Sequence, residues 1–244
     1  MKTETKYPLK INGSMTVPGG AFTEVHINGS GKITSDFCCD SYHVNGQSHV
    51  IGNITAEEVT VNGKADVQGN LTTKEIVING KADVTGNIQA SDIQIHGNLN
   101  IEGNVAADDF VSKGKTTIEG NCEAEDFTSK GIIHISKMLN ADSIEIKLNA
   151  DSYIKEIGGE EIKIRRESMA NGLGKLISFL ANPKSSTFTS DLIEGDEIYV
   201  EFTTAEIVRG NEVQIGPGCT IRRVEYRDEL TVDPSSTIKE TIQN

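Results

Sequence analysis

Tryptophan is absent from this 244-residue chain, and aromatic residues make up only 5% of it. A compact core of that size normally draws on large rings. Their shortage points to a narrow core that Val, Ile, Leu and Ala can fill. Basic excess is missing too. The formal net charge is −13, which argues against nucleic acid as a partner, because phosphate binding needs a basic face. The acid reads most simply as a device that keeps a repetitive β surface soluble; the alternative is an acidic binding face. No run of about 18 apolar residues occurs, so no transmembrane helix is expected. The opening MKTETKYPLK has no apolar stretch, so no signal peptide is expected. The four cysteines, Cys38, Cys39, Cys122 and Cys219, lack metal-ligand spacing. They are expected to be reduced thiols of a cytoplasmic protein, at least two of them buried. Nucleophile-elbow, Walker, H-E-x-x-H and Rossmann motifs are all missing.

What the chain does have is a period. Gly13 and Gly29 are 16 residues apart, and Gly46, Gly63, Gly80, Gly97, Gly114 and Gly131 then follow at intervals of 17. Strict self-similarity at this length is the mark of a solenoid. Residues 59–75 read VTVNGKADVQGNLTTKE and residues 76–92 read IVINGKADVTGNIQASD. Odd positions of the repeat are apolar or small. Position 1 holds Val59, Ile76, Ile93 and Phe110; position 9 holds Val67, Val84, Ile101 and Ile118; position 13 holds Leu71, Ile88, Val105 and Cys122. Even positions are mostly polar. Alternation with a period of two specifies strand.

Each turn is therefore predicted to hold three short strands, near positions 1–3, 7–9 and 13–15. Asn-Gly (Asn45-Gly46, Asn62-Gly63, Asn79-Gly80) supplies a first corner, expected to need positive φ. Gly-Asn (Gly52-Asn53, Gly69-Asn70) marks the second, and an acidic step such as Glu57-Glu58 marks the third. Asn-Gly also suits hairpins, but a meander does not need a fixed period. Stacked coils do. The fold class is all-β: a right-handed parallel β-helix of three short strands per coil of about 17 residues.

The ladder is read as ending after Ile157, giving coils over 1–157, an insertion or linker over 158–192, and further coils with a polar tail over 193–244. Within the insertion Met169, Leu173, Leu176, Ile177 and Leu180 form a helical stripe. Lys163, Arg165 and Arg166 make the same stretch basic. Two readings stand for it: a helix or loop packed against the coils, or an interfacial membrane or partner contact. Val213, Ile215, Cys219 and Ile221 then fit the repeat template again. Leu9 and Ile11 at one end, and Leu230 and Val232 at the other, are the candidate end-to-end contacts, because a coil without a neighbour presents an unpaired edge.

No catalytic group, metal site or cofactor is expected. The five histidines fall on even positions and should face solvent. Some β-helix enzymes cleave acidic polysaccharides with clustered carboxylates and Ca²⁺, but here the acids recur evenly along the coils. Residues 215–221, IGPGCTI, resemble a hexapeptide acyltransferase repeat once only.

The ladder V-x-V-N-G-K-A-D-V-x-G-N, followed by a hydrophobic residue, resembles the bactofilins, bacterial polymer-forming cytoskeletal proteins. The likeness is close over 25–157. The coils near Val213 and the strand near Ile198 resemble the C-terminal part of longer, Gram-positive-type members. The resemblance implies a β-helix that joins end to end into non-polar filaments without nucleotide. It implies a scaffold for cell shape, envelope organisation or motility that takes itself, client proteins and the membrane periphery as partners. The alternative is a non-polymerising adaptor that binds a partner through the insertion and end coils.

Overall fold

A computed structural model describes residues 6–166 and 186–244. Every regular element among them is a β-strand. The chain divides into two compact units, Met1–Glu125 and Asp126–Asn244.

In the first unit the coil is built as the repeat demands. Strands Glu58–Val61, Lys64–Gln68 and Leu71–Thr72 make one turn, and Glu75–Ile78, Lys81–Val84 and Ile88–Gln89 make the next. Each strand pairs in parallel with its successor: Ile76 lies over Val59, Ala82 over Ala65 and Ile88 over Leu71. The register steps by one repeat, so like residues stack. The first coil steps by 16 instead, with Ile11 beside Ile27 and Ser14 beside Ser30, as the Gly13–Gly29 spacing requires.

The odd positions form the core. Val59, Val61, Val67, Ile76, Ile78, Val84, Ile88 and Ile95 are all 3% exposed or less. Burying each such side chain contributes about 1.5–3 kcal/mol, and no single coil could collect it alone. Two polar pairs in the core of the first unit satisfy each other. The Tyr42 hydroxyl donates to Ser48 Oγ at 2.5 Å, and Ser112 and Thr116 share a bond of 2.8 Å.

The corners differ from expectation in one respect. The Asn-Gly glycines do not have positive φ; Gly52, in the Gly-Asn corner, does at 142°. Glycine is required in Asn-Gly for a different reason. A Cβ on Gly63 would sit 2.0 Å from the carbonyl oxygen of Gly46 in the coil before. The asparagines then form a column. Asn28, Asn45, Asn62 and Asn79 each donate Nδ2 to Oδ1 of the preceding asparagine at 2.8–2.9 Å, starting from Asn12. A second column runs through the Gly-Asn corner, where the backbone N–H of Asn70, Asn87, Asn104 and Asn121 donates to the preceding side-chain oxygen.

The second unit has longer strands that bend through their corners: Ile132–Leu148, Ser152–Arg166, Phe188–Val200, Thr203–Ile215 and Thr220–Val232, closed by Thr237–Gln243. All are parallel, and the step varies. Ile144 pairs with Ile162, Ile162 with Ile198, Ile198 with Val213 and Val213 with Leu230. The ladder therefore does not stop at Ile157. Gly158 and Gly159 lie inside a strand, and Gly159, Gly195 and Gly210 stack as a glycine column. Strand Ser152–Arg166 pairs directly with Phe188–Val200. Residues 158–166 and 188–192 thus belong to coils. The helical stripe Met169, Leu173, Leu176, Ile177 and Leu180 lies outside the described residues.

Candidate functional site

The repeat gives every inner strand two neighbours, so chemistry or recognition must come from its faces, corners or edges. The faces carry little reactive chemistry. Burial, with Cys38 and Asp40 adding to it, pushes the Cys39 thiol up to about 12; burial, helped by Glu123, does the same for Cys122. Both are protonated at neutral pH and behave as small apolar residues. All four cysteines are free thiols. None of the five histidines is buried. His26 and His43 stack as register partners with ring centroids 4.9 Å apart, and His49 Nδ1 lies 3.4 Å from Asp66. No group of three or more His, Cys, Asp or Glu side chains among the described residues converges to hold a metal ion.

The basic residues flagged at the insertion are occupied within the second unit. Lys163 pairs with Glu161, and Arg165 with Glu145. The Arg166 guanidinium lies 3.3 Å over the Phe202 ring centroid, and its Nη2 donates to the Ser186 carbonyl at 3.2 Å. The Arg166 backbone N–H donates to Glu201 Oε2 at 2.9 Å.

The edges are different. In the first unit, strands Tyr7–Ile11 and Ser14–Val17 each have a strand neighbour on one side among the described residues. Their other side presents backbone N–H and C=O groups in the arrangement a further strand would use. Tyr7 is 68% and Met15 49% exposed there, and Leu9 is half-buried. Ile11 is buried instead: it lies beside Ile27 in the core column, and the Cδ1 atoms of both reach the space above Gly31, which has no side chain. Of the two sequence candidates at this edge, Leu9 is accessible and Ile11 supports it from within.

Tyr7 and Met15 were missed. For Met15 the signal was present. Its register column runs Met15, Gly31, Ser48, Ala65, Ala82, a file of small residues that begins with a large apolar one.

In the second unit, Thr220–Val232 is covered by Thr237–Gln243 only along Thr220–Tyr226. The stretch holding Leu230 and Val232 pairs inward with Val213 and Ile215 and has no strand on its other side among the described residues. Val232 is 43% exposed and Leu230 half-buried. Both occupy core positions in the part of the coil that no strand covers among the described residues. The turn beneath them is pinned: Ser236 Oγ donates to the Gly216 carbonyl at 2.7 Å and accepts from the Cys219 N–H at 2.8 Å.

Each unit is a set of parallel coils with exposed apolar side chains on a strand edge. A family model described as "Bactofilin: Polymer-forming cytoskeletal" matches residues 2–89 and 65–136, together more than half of the chain. The chain belongs to the bactofilin family. It is thus a member of a polymer-forming cytoskeletal family. Two curated relatives of this bactofilin, both from Bacillus subtilis (strain 168), are the uncharacterized proteins YhbF and YhbE. They are 41% identical over 104 residues and 42% identical over 106 residues. The aligned parts cover 42% and 43% of this chain, and 40% and 42% of the relatives. The chain therefore spans about two-fifths of the length of the curated relatives it matches. No solved structure matches it. No helix among the described residues is long and apolar enough to cross a membrane.

Proposed function

We propose that this chain is a self-assembling scaffold whose copies join through the uncovered coil edges into filaments that need no nucleotide. The observation that carries this reading is the pair of bare edges, one bearing Tyr7, Leu9 and Met15 and the other Leu230 and Val232. A second copy placed on such an edge satisfies the open backbone groups and removes apolar surface from water in one step. Nothing in that reaction calls for an energy-yielding cofactor.

The scaffold acts in the cytoplasm, where four reduced thiols are at home, and supports cell shape, envelope organisation or motility through client proteins. The stretch with Met169, Leu173, Leu176, Ile177 and Leu180, together with Lys163, Arg165 and Arg166, is the proposed contact for a client or the membrane periphery.

Negative-stain electron microscopy of the purified full chain, without nucleotide and at several salt concentrations, tests the assembly. Filaments are expected. A stable monomer at every salt, with β circular dichroism intact, would leave the adaptor function in its place.

A further inference from the structure

We propose that Asn12–Gly13 is a spontaneous deamidation site of the folded protein, and that the coil stack protects the four Asn-Gly corners behind it. The reaction is intramolecular. The Gly13 amide nitrogen gives up its proton to solvent base and attacks Asn12 Cγ. An N–Cγ bond forms, the Cγ–Nδ2 bond breaks, and ammonia leaves carrying a proton. Water then opens the cyclic imide at either carbonyl, leaving aspartate or isoaspartate at position 12. Asparagine followed by glycine favours this path because no β-carbon hinders the attacking nitrogen.

Sequence alone makes all five corners equal: Asn12-Gly13, Asn28-Gly29, Asn45-Gly46, Asn62-Gly63 and Asn79-Gly80. The structure separates them by three contacts. At the four inner corners the glycine N–H, the would-be nucleophile, donates to a carbonyl of the coil before: Gly29 to Ile11 and Gly46 to Ile27 at 3.0 Å, Gly63 to Val44 and Gly80 to Val61 at 2.9 Å. The leaving amide is held as well, since each inner asparagine donates Nδ2 to the preceding Oδ1. Space is also closed, because a methyl group's width at each inner glycine is already taken by a carbonyl oxygen 2.0 or 2.1 Å from the Cβ position.

Corner 12–13 has none of the three. Among the described residues the Gly13 N–H and the Asn12 Nδ2 have no acceptor. No described residue lies within 4 Å of a Cβ built on Gly13, and both residues are exposed. Attack at an inner corner needs prior opening of stacked coils, whereas attack at the first needs only the motion of an edge strand. The product also has a structural consequence. Asn28 Nδ2 can donate to a carboxylate as it does to the Asn12 amide, so aspartate keeps the column. Isoaspartate adds a backbone methylene to the edge corner and displaces the strands that carry Leu9 and Met15.

The test is peptide mapping of the full chain, kept unassembled as checked by sedimentation, after incubation at 37 °C and mildly alkaline pH. Glu-C digestion cuts after Glu24 and separates position 12 from position 28; fragment spectra localise the amide-to-acid mass change, and isoaspartate is counted with isoaspartyl methyltransferase. In the folded protein position 12 should convert at least about tenfold faster than positions 28, 45, 62 and 79, and all five should converge in strong denaturant. Gly13→Ala, which meets no neighbour, should suppress conversion at 12 and leave the fold intact. Equal rates at all five corners in the folded chain, or conversion at 12 that survives Gly13→Ala unchanged, overturns the proposal. Asn171-Gly172 lies outside the described residues and is read on its own peptide.

Discussion

The two units solve one problem with different bonds. In Met1–Glu125 the step is 17 after a first step of 16 and like stacks on like, so the corners are held by neutral amide columns and by glycines that admit the neighbouring carbonyl. In Asp126–Asn244 the step between coils changes from one to the next. Like residues still stack there in places, as Glu161, Glu197, Glu212 and Glu229 do, and arginine–carboxylate pairs link the coils. Arg209 bridges Glu194 at 3.1 Å and Glu225 at 2.7 Å, Arg222 pairs with Glu206 at 2.7 Å, and Arg223 with Glu240 at 2.7 Å. Strict repetition allows cooperative short bonds that are insensitive to salt. Variable coils rely on long side chains that reach across a changing gap, and these are screened.

The largest effect should come from the glycine columns. Gly63→Ala places a Cβ 2.0 Å from the backbone oxygen of Gly46, and Gly195→Ala places one 2.6 Å from that of Gly159. Backbone must move in both. Urea unfolding should show a loss of more than about 3 kcal/mol for Gly63→Ala and a smaller loss for Gly195→Ala, with Gly13→Ala near neutral. A neutral Gly63→Ala would mean that the stack is looser than its register implies.

Next in size is the asparagine column. Asn62 both donates to Asn45 and accepts from Asn79, so Asn62→Ala should cost about 1–2 kcal/mol, with little dependence on salt. In the second unit Arg209→Gln should cost less, about 0.5–1 kcal/mol, because the arginine side chain is 41% exposed. High salt should erase the difference between Arg209→Gln and the wild type. If Asn62→Ala proves to be the salt-dependent variant, the contrast between the units is wrong.

A smaller effect separates them by pH. The hydrogen bond from Arg209, reinforced by its charge and that of Arg223, holds the Glu225 carboxyl below its ordinary value of 4.5. A carboxylate whose folded value is lowered contributes stability that is fully present above the ordinary value and is lost as pH falls through the lowered one. The urea midpoint of the wild type should therefore decline on acidification below about 4.5, and Arg209→Gln should flatten that decline. An unchanged slope would detach Arg209 from the acid response.

The sequence made the first unit legible because its side chains stack in register: a fixed period, alternation of two and corner pairs lead directly to coils, core positions and their order. The reason for the Asn-Gly glycine was not legible, since the clash that demands it is with a residue of another coil. In the second unit the marker glycine moves to Gly159, Gly195 and Gly210, and steps of unequal length hide it; the Gly158-Gly159 pair looks like a break and is a corner inside a strand. At the edges, Leu9, Leu230 and Val232 could be placed by template. Ile11 falls in the same template, in the core column with Ile27 and Val44, and is buried there rather than exposed. Met15 was readable only once its column of small residues was aligned.

The central claim is that bare coil edges, and not coil faces, join one copy to another. Two variants of the full chain decide it when pelleted and imaged beside the wild type. Met15→Lys puts a charge on the edge, and Ile51→Lys puts one on an exposed position of an inner coil that is paired on both sides. The account predicts filaments for the wild type and Ile51→Lys, and their loss in Met15→Lys with circular dichroism unchanged. Filaments lost in Ile51→Lys and kept in Met15→Lys would contradict it.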